Sequence, residues 1–479
     1  MGAQQVGNGL EVSAGLEVSM DVDWEQMARW DREHYLHSTR TAAELEQNWN
    51  GVAYQEGHYL QMVDGRRLLD FQSQLASTNL GHRHPRVCGA LVEALERYGQ
   101  VSYSFSTDYR ARAAKLIVED VFGLDDWAGR VRLLGSGTDA VLVVLTMARI
   151  FAGRKVILTQ DNAFHGLTPD VGTVLSSFHG QVASGTERDV VREISGFPPD
   201  GFVGIPGAEP DDFDATGGLP SLAALERTIN EVGPENIAAV LTETMTAVAG
   251  IMSHDDYHRG VRRLCDAYGI LWILDDVVCG FGRLGKWATY QLYEDLTPDL
   301  LTIGKGLNGG ILPVGGIVAN REIAEFFERN RWMSGSSWDG HPLVAATVVA
   351  NVETMLEEGI IERAEQTGRY LRECLDALGE RHGTVGRIGG RGMYHTVDLV
   401  NADGNPIEPA DRAFNYTGDL TLVPTRVIER EAGRLGVYLA GYLPNTIKVA
   451  PPLTVSRAEV DEGIGAFDAA LDELDRLYL

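Results

Sequence analysis

The sequence predicts an α/β protein built on a large, mostly parallel sheet, and two features support this prediction. Short apolar runs of strand length recur along the chain, and strands buried on both faces of a parallel sheet have this continuous apolar character. Helical patterns separate the runs, so strand, helix and strand follow one another at the spacing of a right-handed βαβ unit. The chain has 479 residues, which is too long for one small core and indicates two or three structural units.

The elements can be placed in order along the chain. Residues 1–22 read as a tail, and an amphipathic helix is predicted at residues 24–35. Asp64 and Gly65 signal a hairpin between two alternating runs. Further helices are predicted at residues 87–98, 109–122, 139–147, 256–268 and, as one long helix, 342–378. Further strands are predicted at residues 131–134, 155–159, 237–241, 271–274, 301–304 and 314–319. Residues 176–222 are rich in Gly, Pro, Asp and Ser and predict a long irregular excursion. Strands and an amphipathic helix complete the C-terminal part.

Composition and charge limit the class of partner. Apolar residues make up 44% of the chain and charged residues 23%, which is ordinary for a globular protein. The net charge of −27 disfavours nucleic acid and anionic membranes as partners. The four cysteines are widely spaced, as expected of reduced thiols in a cytoplasmic protein. Because no apolar run reaches transmembrane length and no export signal is seen, we expect a cytoplasmic protein.

Two histidines near a predicted helix start could suggest a metal site. His82 and His84 stand in the segment Gly-His-Arg-His-Pro. No further set of ligands accompanies them, so hydrogen bonding within a structured turn is the simpler interpretation. We therefore expect no metal.

A carboxylate and a lysine follow two of the predicted strands. One apolar run ends on Asp275, and another stops at Gly304 and presents Lys305. In an open α/β sheet, ligands lie outside the carboxyl ends of the strands, so both side chains should face one crevice. A pyridoxal 5'-phosphate (PLP) site needs this pair, since the lysine forms the Schiff base and the acid keeps the pyridine nitrogen protonated.

A third candidate feature is the turn between residues 135 and 138. The segment Gly-Ser-Gly-Thr joins a predicted strand to a buried helix. Small residues at a helix N-terminus form an anion site, because free backbone N–H groups and the positive end of the helix dipole point outward. An ordinary strand-to-helix turn has the same composition, so the residues alone leave both interpretations open.

The segments DDVVCGFGRLGKW and TIGKGLNGG together resemble the cofactor core of the class III (omega) aminotransferases. The resemblance extends over roughly residues 24–475. It implies fold type I of the PLP-dependent transferases, with a large domain on a mixed, mostly parallel seven-stranded sheet and a small α+β domain from both termini. The expected division is a tail at 1–22, the N-terminal part of the small domain at 23–80, the large PLP-binding domain at 81–345 and the C-terminal small domain at 346–479.

The resemblance also implies roles for individual residues. Lys305 would be the Schiff-base lysine and Asp275 the partner of the ring nitrogen. The other residues implied to bind the cofactor are Ser136, Gly137 and Thr138 at the phosphate, Phe164 stacked on the ring with His165 beside it, Glu243 and Val277. Ser337 stands where the family has a threonine that reaches the phosphate of the neighbouring subunit, which implies a homodimer.

The pattern departs from the family at positions that bear on the substrate. Gly441 occupies the position of an arginine that grips a substrate carboxylate, Val248 that of a glutamate switch, and Ala76 that of a bulky tryptophan. The usual Asn and Glu of the phosphate turn are replaced by Gly135 and Asp139. Two further replacements are Asp276 for the usual Glu and Thr244 for the usual Pro. Together these predict a wider pocket without the usual carboxylate clamps, for which Lys448, Arg283 or an arginine of the excursion could substitute.

The leading hypothesis is an aminotransferase that moves an amino group from an amine or amino acid to a keto or aldehyde acceptor. The same activated carbon serves a racemase, an aminomutase or a carbon–carbon bond-forming enzyme, and the missing clamps keep these alternatives open. A non-catalytic PLP-binding protein is the remote alternative. The sequence does not decide the donor, the acceptor or the stereochemistry.

Overall fold

A computed structural model describes residues 22–37, 42–47, 49–160, 163–166, 201–207, 209, 211–212, 214, 217–407, 423–442 and 445–479. The predicted tail therefore lies outside the described residues apart from Val22. The strands are β1 (Val52–Glu56), β2 (Tyr59–Met62), β3 (Arg67–Asp70), β4 (Ala128–Leu134), β5 (Val156–Gln160), β6 (Phe202–Ile205), β7 (Ile237–Thr242), β8 (Met245–Thr246), β9 (Ile251–Met252), β10 (Leu271–Asp275), β11 (Leu300–Gly304), β12 (Gly315–Asn320), β13 (Val385–Arg391), β14 (Tyr394–Leu399), β15 (Val437–Tyr438), β16 (Ala440–Tyr442) and β17 (Thr446–Val449).

The helices are α1 (Trp24–His34), α2 (Ala42–Gln47), α3 (Pro85–Arg97), α4 (Asp108–Lys115), α5 (Gly137–Ala152), α6 (Pro220–Val232), α7 (Tyr257–Tyr268), α8 (Arg321–Arg329), α9 (Pro342–Glu357), α10 (Ile360–Arg381), α11 (Pro424–Arg434) and α12 (Arg457–Tyr478). Among the described residues, no helix combines the length and the apolar character needed to cross a membrane.

The large sheet confirms the predicted fold class. Its seven strands lie in the order β4-β12-β11-β10-β7-β5-β6. Strand β12 runs antiparallel to both of its neighbours, and the other pairs are parallel. The central strands β7, β10 and β11 are buried along nearly their whole length, which is the reason for their continuous apolar runs.

Strand β10 and its neighbours determine where the site lies. β7, α7 and β10 form the predicted βαβ unit, and β10 pairs in parallel with β7 on one side and β11 on the other. The register places Asp275 opposite Thr302. The carboxyl ends of these three strands therefore open at one edge of the sheet, with Asp275 in the middle.

Two smaller sheets join distant parts of the chain. The N-terminal hairpin β2-β3 has β1 on one side and the C-terminal strand β15 on the other. The second sheet has the order β13-β14-β17-β16 and is antiparallel throughout. A hydrogen bond also joins the N-terminal segment to the residue after β17, since the Ser73 hydroxyl donates to Ala450 O at 2.6 Å.

Three predictions about elements were wrong in part. The single helix predicted at 342–378 is two helices, α9 and α10, because Gly359 between them takes a positive φ of 59° that a helix interior does not allow. The excursion predicted at 176–222 contains the edge strand β6 and the start of α6; residues 176–200 lie outside the described residues. The helix predicted at 109–122 begins as α4 and continues as a π-helix at Leu116–Val121.

The histidine turn is folded against an acid. His82 is buried, and its Nε2 lies 3.1 Å from Asp70 Oδ2 at the end of β3. Pro85 occupies the first turn of α3 directly after His84, as proline prefers. Asp70 thus lies beside the buried ring of His82, but neither ring nitrogen has a hydrogen-bond partner among the described residues, so the predicted hydrogen bonding within the turn was wrong for His82.

Candidate active site

Asp275 is the last residue of β10 and is held as an anion by three donors. Its Oδ2 lies 2.7 Å from His165 Nδ1, and its Oδ1 accepts from Thr302 Oγ1 at 2.7 Å and from the Val277 N–H at 3.1 Å. Burial opposes the charge, but these hydrogen bonds and the nearby His165 outweigh it and lower the pKa of Asp275 below its ordinary value. Asp275 therefore faces the crevice with a fixed orientation and a negative charge.

Lys305 begins a short 3₁₀ helix immediately after β11. It adopts a positive φ of 44°, a strained conformation for a residue with a side chain. Gly306 follows it because a Cβ there would lie 2.0 Å from Asn79 Nδ2. Burial lowers the pKa of Lys305, while the charges of Asp275 and Glu243 act in the opposite direction. The amine is thus shifted towards the neutral form in which it is a nucleophile.

The predicted anion turn is the N-terminus of α5. Ser136 is its N-cap, and its hydroxyl accepts from the Asp139 N–H at 3.1 Å and donates to the Asp139 carboxylate at 2.9 Å. The N–H groups of Gly137 and Thr138 belong to the first turn and have no partner within the helix. Gly137 allows close packing here, since a Cβ would lie 2.6 Å from Val277 Cγ1.

Phe164 and His165 are each hydrogen-bonded to a buried acid, Glu243 and Asp275 respectively. The Glu243 carboxylate accepts from the Phe164 N–H at 2.9 Å and from the Ala247 N–H at 3.4 Å. Burial and then the charge of Asp275 raise the pKa of Glu243 well above its ordinary value. His165 is buried and bonded to Asp275 through Nδ1, while its Nε2 has no partner. Glu243 therefore positions the loop that carries the ring of Phe164.

One cavity of about 430 Å³ brings most of the predicted site residues together. Those that line it are Ser136, Gly137, Thr138, Phe164, His165, Asp275, Val277 and Lys305. Glu243 lies behind Phe164 and does not line it. Ser337 is exposed in a surface loop and does not line the cavity of its own chain.

The sequence did not predict residues that reach the site only through the pairing register of the strands or through the folding of a loop onto it. Thr302 is a fully buried residue of β11 that holds Asp275 from the neighbouring strand. Ser77 and the segment of residues 310–314 also line the cavity. A polar residue inside an apolar strand was the available signal for Thr302, but its partner could not be known before the strands were paired.

The structure separates the possible substitutes for a carboxylate clamp. Arg283 is fully buried, and its NH1 and NH2 groups donate to Met393 O, Pro451 O, Ser73 Oγ and Asn79 Oδ1 at 2.6–3.2 Å. It is therefore committed to joining three chain segments, and its suggested role as a clamp was wrong. Gly441 pairs within β16-β17, where a Cβ would lie 2.0 Å from Thr446 O, so this position has no room for an arginine.

Lys448 differs from Arg283 in the surroundings of its charged group. It exposes 5% of its surface, and no hydrogen bond or ion pair of its ammonium group is found among the described residues. Burial, and then the charge of Lys305, lower its pKa to about 7. The charge of Asp70 acts against this lowering, and Lys448 does not line the cavity of about 430 Å³.

The donor set of the cavity fits PLP. It combines an amine shifted towards its nucleophilic form, a fixed carboxylate, an aromatic ring and a helix N-terminus with free N–H groups. Its volume is in the usual range for cofactor sites, about 300–1,000 Å³. The fold and the site together define a PLP-dependent enzyme of fold type I.

Comparison with known proteins specifies the family. The model of the family described as aminotransferase class-III matches residues 43–471. The chain belongs to the class III aminotransferases, and it is a PLP-dependent aminotransferase that acts on amine and keto substrates.

Relatives and solved structures agree with this family. The chain is 28% identical over 474 residues to the putrescine–pyruvate aminotransferase of Pseudomonas aeruginosa, covering 94% of this chain and 96% of that protein. It is similar to an S-selective transaminase from Arthrobacter sp., with 38% identity, a TM-score of 0.87 and coverage of 95% of this chain and 99% of the other. It is also similar to the taurine:2-oxoglutarate aminotransferase of Bifidobacterium kashiwanohense, solved in complex with PLP and glutamate, with 27% identity, a TM-score of 0.84 and coverage of 95% and 99%.

Proposed function

We propose that the transamination is carried out at the cavity between β10, β11 and the N-terminus of α5, with Lys305 as the Schiff-base lysine. The observation that supports this is the meeting of Lys305 and Asp275 in one cavity. The cofactor, when bound, withdraws electrons from the substrate carbon and so makes its proton acidic. The nearby amine of Lys305 is the base that moves this proton.

The other cavity residues have binding roles in this proposal. Asp275 holds the ring nitrogen protonated, which stabilises developing negative charge. The N–H groups of Gly137 and Thr138, with the hydroxyls of Ser136 and Thr138, bind the phosphate. Phe164, His165 and Val277, which line the cavity, would hold the ring, and Glu243 fixes the Phe164 loop.

The test of the proposed function uses the holoenzyme without any acceptor. A panel of amines and amino acids is added singly, and the visible absorption of the cofactor is followed. We expect a donor to bleach the yellow band as its amino group passes to the cofactor, and that donor defines the substrate class. A band that persists with every amine, or product formed without loss of the band, would instead favour the racemase, aminomutase or carbon–carbon bond-forming chemistry.

We further propose that Lys448 binds the anionic group of a substrate, in place of the arginine clamp that Gly441 excludes. The support is its burial without a partner beside Lys305. A substrate carboxylate would add a counter-charge to that of Asp70 and form a charge-assisted hydrogen bond. This assigns at least one of the two substrates, donor or acceptor, to the carboxylic acids.

Replacing Lys448 by methionine is expected to raise KM for carboxylate substrates by about tenfold or more, because a charged hydrogen bond is lost. KM for a neutral amine should change much less. The measurement is kcat and KM for matched acids and amides, with Lys448→Arg as the variant that keeps the charge. Equal effects on the acid and its amide would contradict the proposal.

A homodimer in which Ser337 reaches the partner's phosphate site is also proposed. The loop that carries Ser337 is held to the body, where Arg110 donates to Gly340 O at 3.2 Å and to Phe105 O at 2.7 Å. Around it Tyr103, Phe105, Met333 and Trp338 expose 56–89% of their surfaces. A cluster of exposed apolar side chains of this kind marks an interaction surface, which a second copy would cover about a two-fold axis.

Subunit mixing tests this arrangement. The variants Lys305→Ala and Ser337→Glu should each be inactive or weak as homodimers, the second because its carboxylate repels a phosphate. If Ser337 acts across the interface, each mixed dimer has one site in which both Lys305 and Ser337 are intact. About half of the dimers in an equal mixture are mixed, so about one quarter of wild-type activity should be recovered. Failure to recover activity in a sample shown by mass spectrometry to contain mixed dimers would refute the role of Ser337.

The division into a tail at 1–22, a small domain from 23–80 and 346–479 and a large domain at 81–345 is proposed as well. The parallel pairing of β3 with β15 supports a small domain built from both ends of the chain. All four cysteines are free thiols, which supports the proposed cytoplasmic location.

A further inference from the structure

Two of the departures from the family pattern meet in one hydrogen-bond network behind the site. Asp276 follows Asp275 directly, but its side chain leaves the strand end on the other face. Its two oxygens accept from the Thr289 N–H at 2.6 Å and from Thr289 Oγ1 at 2.7 Å. Thr289 Oγ1 also lies 2.7 Å from Thr244 Oγ1, and Thr244 is the residue after Glu243. Asp276 and Thr244 are therefore connected through one hydroxyl.

Within the described part of the chain, no cation compensates the charge of Asp276. It exposes 1% of its surface, and no ion pair involving it occurs among the described residues, whereas Asp275 has His165. The titratable groups that face Asp276 are Asp275 and Cys279 from its own segment and Tyr290 beside Thr289, with Glu243 beyond Thr244. Each of these groups is neutral or negative, so none favours a second carboxylate.

The network accommodates a protonated Asp276 without moving a heavy atom, because only the hydroxyl hydrogens must turn. Either hydroxyl of the Thr244–Thr289 pair can be the donor. A protonated Asp276 can donate to Thr289 Oγ1, which then donates to Thr244 Oγ1, while the other carboxyl oxygen still accepts from the Thr289 N–H. The proline usual in the family at position 244 has no hydroxyl that could accept this bond. In agreement, burial raises the pKa of Asp276 to about 7, although the two Thr289 donors act against the rise.

We propose that Asp276 is a positioning residue that, through Thr289 and Thr244, carries a proton at neutral pH and so leaves Asp275 as the single anion facing the cofactor's ring nitrogen. The inference rests on the proposed role of Asp275. It assigns the Asp276, Thr289 and Thr244 network the task of keeping a second negative charge away from the cofactor. As the pH rises through the neutral range, Asp276 loses its proton and the electrostatic potential at Asp275 becomes more negative.

The first test uses the apoenzyme and is independent of the cofactor. Infrared difference spectra of wild type minus Asp276→Asn should show the C=O stretch of a protonated carboxylic acid at pH 6, and this band should disappear as the pH is raised to 9. Subtraction removes the contribution of Glu243, which is present in both proteins. A difference spectrum with only carboxylate bands at pH 6 would overturn the proposal.

The second test follows the visible absorption of the holoenzyme against pH. Asparagine resembles a protonated aspartate, so Asp276→Asn should bind PLP within about threefold of wild type at pH 6.5, a small free-energy difference. Its titration should lack one step that wild type shows near neutrality. Thr289→Val keeps the volume but removes the hydroxyl, and it should move that step upward by about one pH unit because a donor to the carboxylate is lost.

Three outcomes decide against the inference. They are a loss of PLP affinity beyond about tenfold in a thermally stable Asp276→Asn protein, a titration identical to wild type, and a Thr289→Val step that does not move. The failure of the proposed function is separable, since it would appear as an absorption band that is unaffected by Lys305→Ala. A normal Lys305-dependent band together with an unmoved step would refute only the role of Asp276.

Discussion

Replacing Lys305 by alanine is expected to abolish turnover, with kcat reduced by roughly 1,000-fold or more, because the residue is both the covalent anchor and the proton-transferring base in the proposed mechanism. The visible band that depends on the Schiff base should be lost as well. The measurement is steady-state turnover with the donor found in the amine panel, together with the absorption spectrum of the protein loaded with PLP.

Two results would separate this expectation from a loss of folding. Lys155 is an exposed lysine just before β5, and Lys155→Ala should retain the activity and the band. Lys305→Ala should unfold at a temperature close to wild type, since alanine keeps a Cβ at the same positive φ and the Lys305 side chain has no hydrogen bond among the described residues. Turnover retained in Lys305→Ala would refute the assignment of the site.

Replacing Asp275 by asparagine is expected to lower kcat by about 100-fold or more, while the cofactor band remains. Asparagine keeps the shape but cannot supply the negative charge that holds the ring nitrogen protonated, and electrostatic stabilisation of this kind is a large part of catalysis. The carboxylate of Asp275 is also the partner of His165 at 2.7 Å, so the ring of His165 loses its anion. The measurement is the rate of the donor half-reaction in single turnover.

The direction of the pKa shift of Asp275 predicts how the effect of this substitution depends on pH. The folded state lowers the pKa of Asp275, because its hydrogen bonds and His165 outweigh the effect of burial. The ionised form is therefore present at all pH values above the ordinary aspartate range, and its stabilising contribution is lost only as the pH falls through the folded pKa. The ratio of wild-type to Asp275→Asn rates should thus show no step from the titration of Asp275 itself between pH 6 and 9. Asp275→Glu keeps the charge, and a loss as large as that of Asp275→Asn would show that geometry, not charge, decides the rate.

The convergence of Asp275 and Lys305 was predictable because strand ends carry positional information. Each residue directly follows a buried apolar run, and parallel strands place their carboxyl ends at the same edge. The free N–H groups at the start of α5 were predictable for a related reason, since any turn between a strand and a helix leaves the first N–H groups of the helix without a partner in it. Both features depend on local sequence and on the general geometry of α/β sheets.

The support around these residues was not predictable from pattern. Thr302 holds Asp275 only because β10 and β11 pair in one register, and a shift by one residue would turn its hydroxyl to the other face. Arg283 seemed available as a clamp, yet it binds groups from residues 73, 79, 393 and 451. The partners of a buried polar group come from segments far apart in the chain, and no local signal identifies them.

The sequence by itself determined the fold class and the order of the main elements, and it indicated the lysine, the aspartate and the glycine-rich turn that are proposed to form the site. These follow from periodicity, from glycine at turns and from motifs whose residues are close together in the chain. Only the tertiary structure decided that Gly441 has no room for a side chain, that Arg283 but not Lys448 has hydrogen-bond partners for its side chain among the described residues, and that Asp276 meets Thr244 through Thr289. Such properties depend on burial and on hydrogen-bond partners, and both are established only when distant segments pack together.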